Sequence, residues 1–534
     1  MFGLKKKKEE EPQQIVSRDG ADDAASSTND NKKFWHALFP IMACGAGLFS
    51  DGYVNNVIGS VSPIFAQLYG DEWSNSNAKH FVNDIAFAGT VVGMLIFGYT
   101  SDHWSRTGSL LVSTLILIIF TALAAASYWH GEAIGMFNIL TAWRFFVGIG
   151  IGGEYPAGSV ACAESTGEMK SGTRNAWFIL FTNSMIDWGK LLSSHLLLSA
   201  SGEQRDPFRL WCFCALCGGC CLSQQPPGNH VANATRYRCR LSLVLFLLRL
   251  KLKEPEEFSR ESMKNTKTPY WLVLKYYGFR LFVISLVWFL YDFSAYAFSL
   301  YASTILSSIY GGEAPFTTVF GWNTVIMLFY IPGTMLGAPV SDRLGPRWTL
   351  ILGVTLQAVV GFIMAGCYAK LAQPSVVGAF AVVYGLFLTF GELGPGNNIG
   401  LLASKTCATG VRGQYYGIAA AVGKIGAFVG TLVFPFIQDA GGDDEIKRNQ
   451  YPFYVSSSLC LLSAALVYFL VPEIGQDTIA KEDTDFRAHL ESQGWDVRQL
   501  GLKKGDSADT LENNVDPIAY GKDQSLASKE AIGR

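Results

Sequence analysis

Trp288, Asp292 and Tyr296 fall at four-residue intervals in FRLFVISLVWFLYDFSAYAFSLYASTIL, a run apolar enough to cross a lipid bilayer. A carboxylate at membrane depth costs roughly 2.5–3.5 kcal/mol on insertion scales, so acids there usually face a cavity and handle ions, protons or polar solutes. Positions i, i+4 and i+8 of a helix lie near one face, about 6 Å apart along the axis. An indole, an acid and a phenol therefore line one wall. The alternative is an aromatic helix packed inside a bundle, with its Asp satisfied by neighbours.

Lys424, between Gly423 and Gly426 in AAAVGKIGAF, poses the complementary problem of an ammonium in an apolar run. It needs an anionic partner, for which Asp51 or Asp292 would serve, or it must snorkel to a membrane face. Asp187 and Lys190 in MIDWGK lie three apart on one helix face and can neutralise each other.

The elements that position these residues are membrane spans. Of 534 residues, 49% are hydrophobic and only 16% charged, which excludes an ordinary soluble domain. With about 20 apolar residues per span, spans are expected near 35–58, 83–100, 109–129, 136–156, 176–200, 279–303, 317–341, 348–367, 376–398, 413–436 and 451–471. A doubtful sixth falls between 203 and 252. Alternate connectors are basic: Lys5–Lys8 with Lys32 and Lys33, Arg106, Lys170 with Arg174, Arg249 to Lys275, Arg343 with Arg347, and Lys405 with Arg412. By the bias of Lys and Arg towards the cytoplasm, both termini are expected to be cytoplasmic, which requires an even number of spans. No cleavable signal peptide is expected, because the start is Lys-rich and lacks an apolar core.

Two halves echo each other. GYTSDHWSR follows the second span and GAPVSDRLGPR the eighth, placing Asp102 with Arg106 and Asp342 with Arg343 and Arg347 in short loops suited to a charge-paired latch. KEPEEF and VPEIG close the two halves. The expected layout is a cytoplasmic tail 1–33, a six-helix half 34–252, a central loop 253–278, a second six-helix half 279–472 and a solvated tail 473–534. Substrate would sit near the midplane between two repeats of this kind.

The two loops resemble the signature of the major facilitator superfamily, although His103 and Ser105 depart from it. GGEYP, within RFFVGIGIGGEYPAGSVACAESTGE, resembles the phosphate:proton symporter branch. That stretch, with DGYVNNVIGSVSPIF, GELGPGNNIGLLASKTCATGVRGQYYGIAAAVGKIGAFVG and AKEDTDF, is similar to the fungal glycerophosphoinositol and glycerophosphodiester permeases. The similarity spans nearly all of 34–495 apart from one interval. It implies an all-α integral membrane protein with twelve transmembrane helices in two six-helix bundles, the sixth in doubt here.

The resemblance implies proton-coupled uptake of glycerophosphodiesters, glycerophosphoinositol or glycerophosphocholine, by a monomer in the plasma membrane. An inorganic phosphate:proton symporter is the nearest alternative, and a non-transporting nutrient receptor a further one. The partners implied are a small phosphodiester anion, protons and the lipid bilayer, with no nucleic acid, cofactor or metal, and no enzymatic activity. Trp288, Asp292 and Tyr296 match W-x-x-x-D-x-x-x-Y, which the resemblance makes a substrate wall. Tyr155 joins them, Glu154 aligns with a proton-linked acid, and a substrate phosphate becomes a third candidate partner for Lys424. Glu154 could equally pair with Arg144, a structural charge. Asp51 keeps one acid of the D-x-Y-D pattern, giving Asp51, Glu154 and Asp292 as proton-coupling candidates. Asn397 and Asn398 fall where related symporters bind substrate through an Asn, with no choice between them; Asp187 and Lys190 fall near another such position.

Gly148, Gly150 and Gly153 satisfy G-x-G-x-x-G, but inside a membrane span that pattern is not the strand-to-helix turn a dinucleotide needs. Cys212, Cys214, Cys217, Cys220, Cys221 and Cys239 give overlapping C-x-x-C matches without a regular ligand array, which argues against zinc. The apolar text breaks into QQPPGNHVANATRYRCR where relatives carry an ordinary sixth span. Residues 205–243 are therefore expected to be the product of a wrong reading frame.

Overall fold

The structure, a computed structural model, describes residues 34–501 apart from 36, 75–77, 131, 204–244, 312–313 and 476–477. Among these residues there is no strand. The principal helices are α1 Ala37–Ala66, α2 Ala78–His103, α3 Arg106–Ala125, α4 Ala133–Ser165, α5 Arg174–Phe181, α6 Asn183–Glu203, α7 Tyr270–Ile309, α8 Phe316–Leu344, α9 Pro346–Leu371, α10 Pro374–Lys405, α11 Thr409–Asp439, α12 Glu445–Leu470 and α13 Thr478–Ser492. Ten of them are long and apolar enough to cross a membrane. The fifth expected span is α5 with α6, whose Asn183, Asp187 and Lys190 make it more polar. The doubtful sixth span lies outside the described residues, except for a helical stretch at 245–249.

Within each half, α1 packs on α6, α2 on α4, α7 on α11 and α9 on α12. The halves meet along α1 with α7, α2 with α11, and α5 and α6 with α8. Small residues allow the close approaches that helices in lipid depend on. A Cβ on Gly148 or Gly152 of α4 would come within 2.2 or 2.3 Å of the Ala86 or Thr90 carbonyl oxygen of α2. Gly148 and Gly152, one turn apart, thus form a packing seam against α2. α3 and α12 bury least and present Leu115, Ile119, Leu461 and Phe469 outward, as lipid-facing helices do.

Two spans carry a single π-helical turn, Glu154–Ser159 in α4 and Glu392–Gly396 in α10. Pro156 and Pro395 cannot donate to the helical ladder, and such turns re-aim the side chains around them. They occupy corresponding places in the two halves, so the repeat extends to the middle of the bundle.

The layout differs from expectation at two places. α7 begins at Tyr270, inside the expected central loop, because Pro269 starts a helix that runs on unbroken for 40 residues. Part of the tail is folded. α13 buries Ile479, Phe486 and Leu490 against the body, and Asp483 accepts hydrogen bonds from the Thr409 amide at 2.6 Å and hydroxyl at 2.7 Å. Its apolar spacing gives it one face to bury, which overall polarity conceals.

Candidate functional site

Between the halves lies a cavity of about 60 Å³, lined by Tyr155, Trp288, Asp292, Tyr296, Asn397 and Lys424 among others. One water needs roughly 10–15 Å³ in such a measure, so this conformation has room for a few waters and not for a glycerophosphodiester. Lys424, from α11, is 1% exposed and lies 3.3 Å from Asp51 of α1 and 3.6 Å from Asp292 of α7. Asp51 stands one layer behind the wall, where its Oδ2 accepts from the Tyr155 hydroxyl at 2.6 Å and the Tyr296 hydroxyl at 2.7 Å. Tyr296 also touches the Lys424 ammonium. Lys424 does not snorkel: buried acids hold it. Trp288 meets Tyr416 edge-on, with ring centroids 5.5 Å apart.

The two asparagines part company. Asn397 lines the cavity, accepting from Asn183 at 3.0 Å and donating to the Thr334 carbonyl at 3.2 Å. Asn398 is not among the lining residues; its amide donates to the Gly394 carbonyl at 2.8 Å while its oxygen accepts from Ser341 at 2.6 Å, tying the π turn to α8. Successive helical residues point about 100° apart, so only one of the pair can face the cavity.

Glu154 is likewise turned away, into the first half. Its carboxylate receives a bidentate pair from Arg249 at 2.6 Å for each nitrogen, with Ser113 donating at 3.1 Å. The alternative pairing with Arg144 does not form. Arg144 donates to the Val82 carbonyl at 2.7 Å and has Asp84 as its nearby charge. Arg249, counted in the sequence among loop cations, is 1% exposed. No sequence signal separated it from the basic block that follows.

A second polar cluster shares the cavity. Lys190 lies 3.3 Å from Asp187 and 3.2 Å from Glu392, and Asn183 donates to Glu392 at 2.7 Å. Glu392 was missed by sequence reasoning, although the Gly-Glu of Gly391–Glu392 repeats that of Gly153–Glu154 at the two π turns.

At one end of the bundle the two loops make the expected latch in unequal ways. Arg106 pairs with Asp102 at 2.5 Å and with Glu164 at 3.1 Å, and Glu164 also holds Arg412 at 3.0 Å. Asp102 accepts from the Gly413 and Gln414 amides at 2.9 and 2.7 Å, capping α11 of the other half. Asp342 reciprocates, accepting from the Asn175 and Ala176 amides at 3.1 and 3.3 Å at the start of α5. A carboxylate at a helix N-terminus satisfies orphan amides and meets the positive end of the dipole. Arg347 corrects the expectation of a second Asp–Arg loop pair: it turns to Glu473 at 3.6 Å and the Tyr468 carbonyl at 2.6 Å, and Arg343 is exposed. The repeated half-ends fit this pattern. Glu254 caps α3 at the Arg106 and Thr107 amides, both at 3.2 Å, as Glu473 sits by the start of α9.

The model of the sugar (and other) transporter family matches residues 39–222 and 244–486. The chain belongs to this family. The transporter is 46% identical over 471 residues to the glycerophosphocholine permease GIT4 of Candida albicans, covering 87% of this chain and 84% of that one. It is also 46% identical over 476 residues to the major glycerophosphoinositol permease GIT3 of the same species, again over 87% and 84%. The inorganic phosphate transporter 1-1 of Oryza sativa subsp. japonica is more distant, at 23% over 524 residues, 85% of this chain and 95% of that one. In fold, the transporter resembles the major facilitator superfamily proton:xylose symporter XylE, with a TM-score of 0.65 at 15% identity, covering 84% of this chain and 98% of that one. The protein is a multi-pass membrane transporter with an all-α major facilitator fold, not an enzyme. The family match pauses between 222 and 244, inside the interval expected to be out of frame.

Proposed function

We propose that the transporter imports glycerophosphodiesters with protons across a fungal plasma membrane, as a monomer with both termini cytoplasmic. The observation that carries this reading is the buried Lys424, held between acids of both halves on the cavity wall. It supplies one positive charge for a phosphodiester's one negative charge, and the two named permeases at 46% identity handle such diesters. Inorganic phosphate is the rival substrate, favoured only by much more distant relatives.

The substrate phosphate displaces a carboxylate from Lys424. The freed acid, Asp51 or Asp292, is left buried with too little positive charge, and a proton relieves it. Binding and protonation thereby favour each other, which is the thermodynamic content of symport. Trp288, Tyr155, Tyr296 and Asn397 shape and hydrogen-bond the substrate. Glu154, locked by Arg249, serves as a fixed buried charge in this conformation and carries a proton only if another conformation breaks that pair. The cytoplasmic latch of Asp102, Arg106 and Asp342 opens as the halves rock about the site.

The test is uptake of labelled glycerophosphoinositol and glycerophosphocholine by cells that lack their own permeases. Uptake of either diester that rises with an inward proton gradient is expected. Phosphate uptake without diester uptake would overturn the proposal in favour of the rival.

A further inference from the structure

Lys190 and Lys424 sit on corresponding helices of the two halves, the fifth and eleventh spans, and each is gripped by one acid of its own half and one of the other. Lys424 has Asp292 and Asp51; Lys190 has Asp187 and Glu392. Adjacent residues of α7 tie the two clusters to one cavity: Asp292 faces Lys424, and the Tyr291 hydroxyl donates to Glu392 at 3.3 Å. Four carboxylates thus stand against two ammonium groups. A phosphodiester anion needs one of the lysines, so the second cluster is left for the rest of the substrate.

The chemistry of that cluster favours hydroxyl groups. Carboxylates only accept hydrogen bonds, and hydroxyls donate to them. Asn183 and Asn397 add an amide pair at 3.0 Å that can exchange its partners. A quaternary ammonium instead needs free aromatic faces. Three of the rings around the two lysines already hold an ammonium: Lys190 lies 3.8 Å from the centre of the Tyr330 ring, and Lys424 lies 3.7 Å from that of Tyr296 and 5.0 Å from that of Tyr155. The two permeases at 46% identity are named for different head groups, so similarity alone does not choose between them.

We infer that Glu392, Lys190, Asn183 and Asn397 form a head-group subsite for a polyol such as inositol, beside a phosphate held at Lys424. The inference rests on the proposed glycerophosphodiester function and narrows it. Uptake of labelled glycerophosphoinositol and glycerophosphocholine is measured for the full chain and for its Asn183→Ala and Glu392→Gln variants, with the amount at the cell surface quantified. The unaltered transporter should have the lower KM for the inositol diester. In each variant the KM ratio should move towards choline by roughly tenfold or more, as for a site that discriminates through hydrogen bonds to its substrate's hydroxyls. An unchanged ratio in both variants, or an unaltered transporter that prefers the choline diester, overturns the subsite and leaves the wider function standing. Uptake of neither diester by the unaltered transporter overturns the function and the subsite with it.

Discussion

Lys424 lies 3.3 Å from Asp51, and the two come from opposite halves of the transporter. The pair ties α11 to α1 at the cavity wall, so whichever anion holds Lys424 bears on whether the halves stay together. Lys424→Ala should leave Asp51 and Asp292 buried without their cation, a loss of about 3–5 kcal/mol when one partner of a buried pair is removed. The expected outcome is at least a hundredfold loss of diester uptake at normal surface abundance. Uptake within a few-fold of the unaltered level would remove Lys424 from the site.

Arg249 and Glu154 form a bidentate buried pair within the first half. Arg249→Ala should cost about 3–5 kcal/mol, whereas replacing both partners by apolar residues costs much less. The melting temperature of the detergent-purified protein should fall sharply in Arg249→Ala and recover in an Arg249→Met, Glu154→Leu double variant. A single-variant melting point equal to the parent's would show the pair to be dispensable.

Asp102 caps α11 and Asp342 caps α5, each across the interface between the halves. Removing a cap costs about 0.5–2 kcal/mol, and Asp102→Asn also weakens the pair with Arg106. Spin labels at the exposed positions Trp104 and Leu344 should report a longer separation in Asp102→Asn, Asp342→Asn protein than in the parent. Identical distance distributions would mean that the caps do not hold this end shut.

Glu257, in the connector below the latch, has a carboxyl pushed up to about 7, first by burial and further by Glu164 and Asp483, with Arg412 opposing. The unfolded group ionises near 4.5, so between 4.5 and about 7 the folded protein holds the extra proton. Stability should therefore decrease as pH rises through that window and level off above it. Thermal melts across the range should show this decline, and Glu257→Gln should abolish its Glu257 component; a variant with an unaltered profile would assign the dependence elsewhere.

The family match skips the residues between 222 and 244, and the helical turn at 245–249 resumes in time to deliver Arg249 to Glu154. Sequencing the transcript across 205–243 should reveal a frame that encodes an uninterrupted apolar sixth span. A clean in-frame read of Cys212 to Cys239 would overturn that expectation.

The spans, the twofold repeat and the buried acid of α7 were legible in the chain, because apolar length and polar residues at membrane depth are local properties of the text. Asp51, Asp292 and Lys424 could be grouped on the same ground: a buried charge demands a partner, and few were available. Who partners whom is a different matter. Glu154 chose Arg249 over Arg144, Asn397 faced the cavity in place of Asn398, and Glu392 joined Lys190 over a separation of 202 residues. These outcomes depend on helix rotation and on the π turns that re-aim α4 and α10, set by packing between distant segments. Composition also hid the docking of α13, whose few apolar residues matter only when a surface lies opposite them. Hydrophobic length and spacing thus determined that the chain crosses the membrane in two related halves with charges inside; tertiary packing alone decided which charges meet.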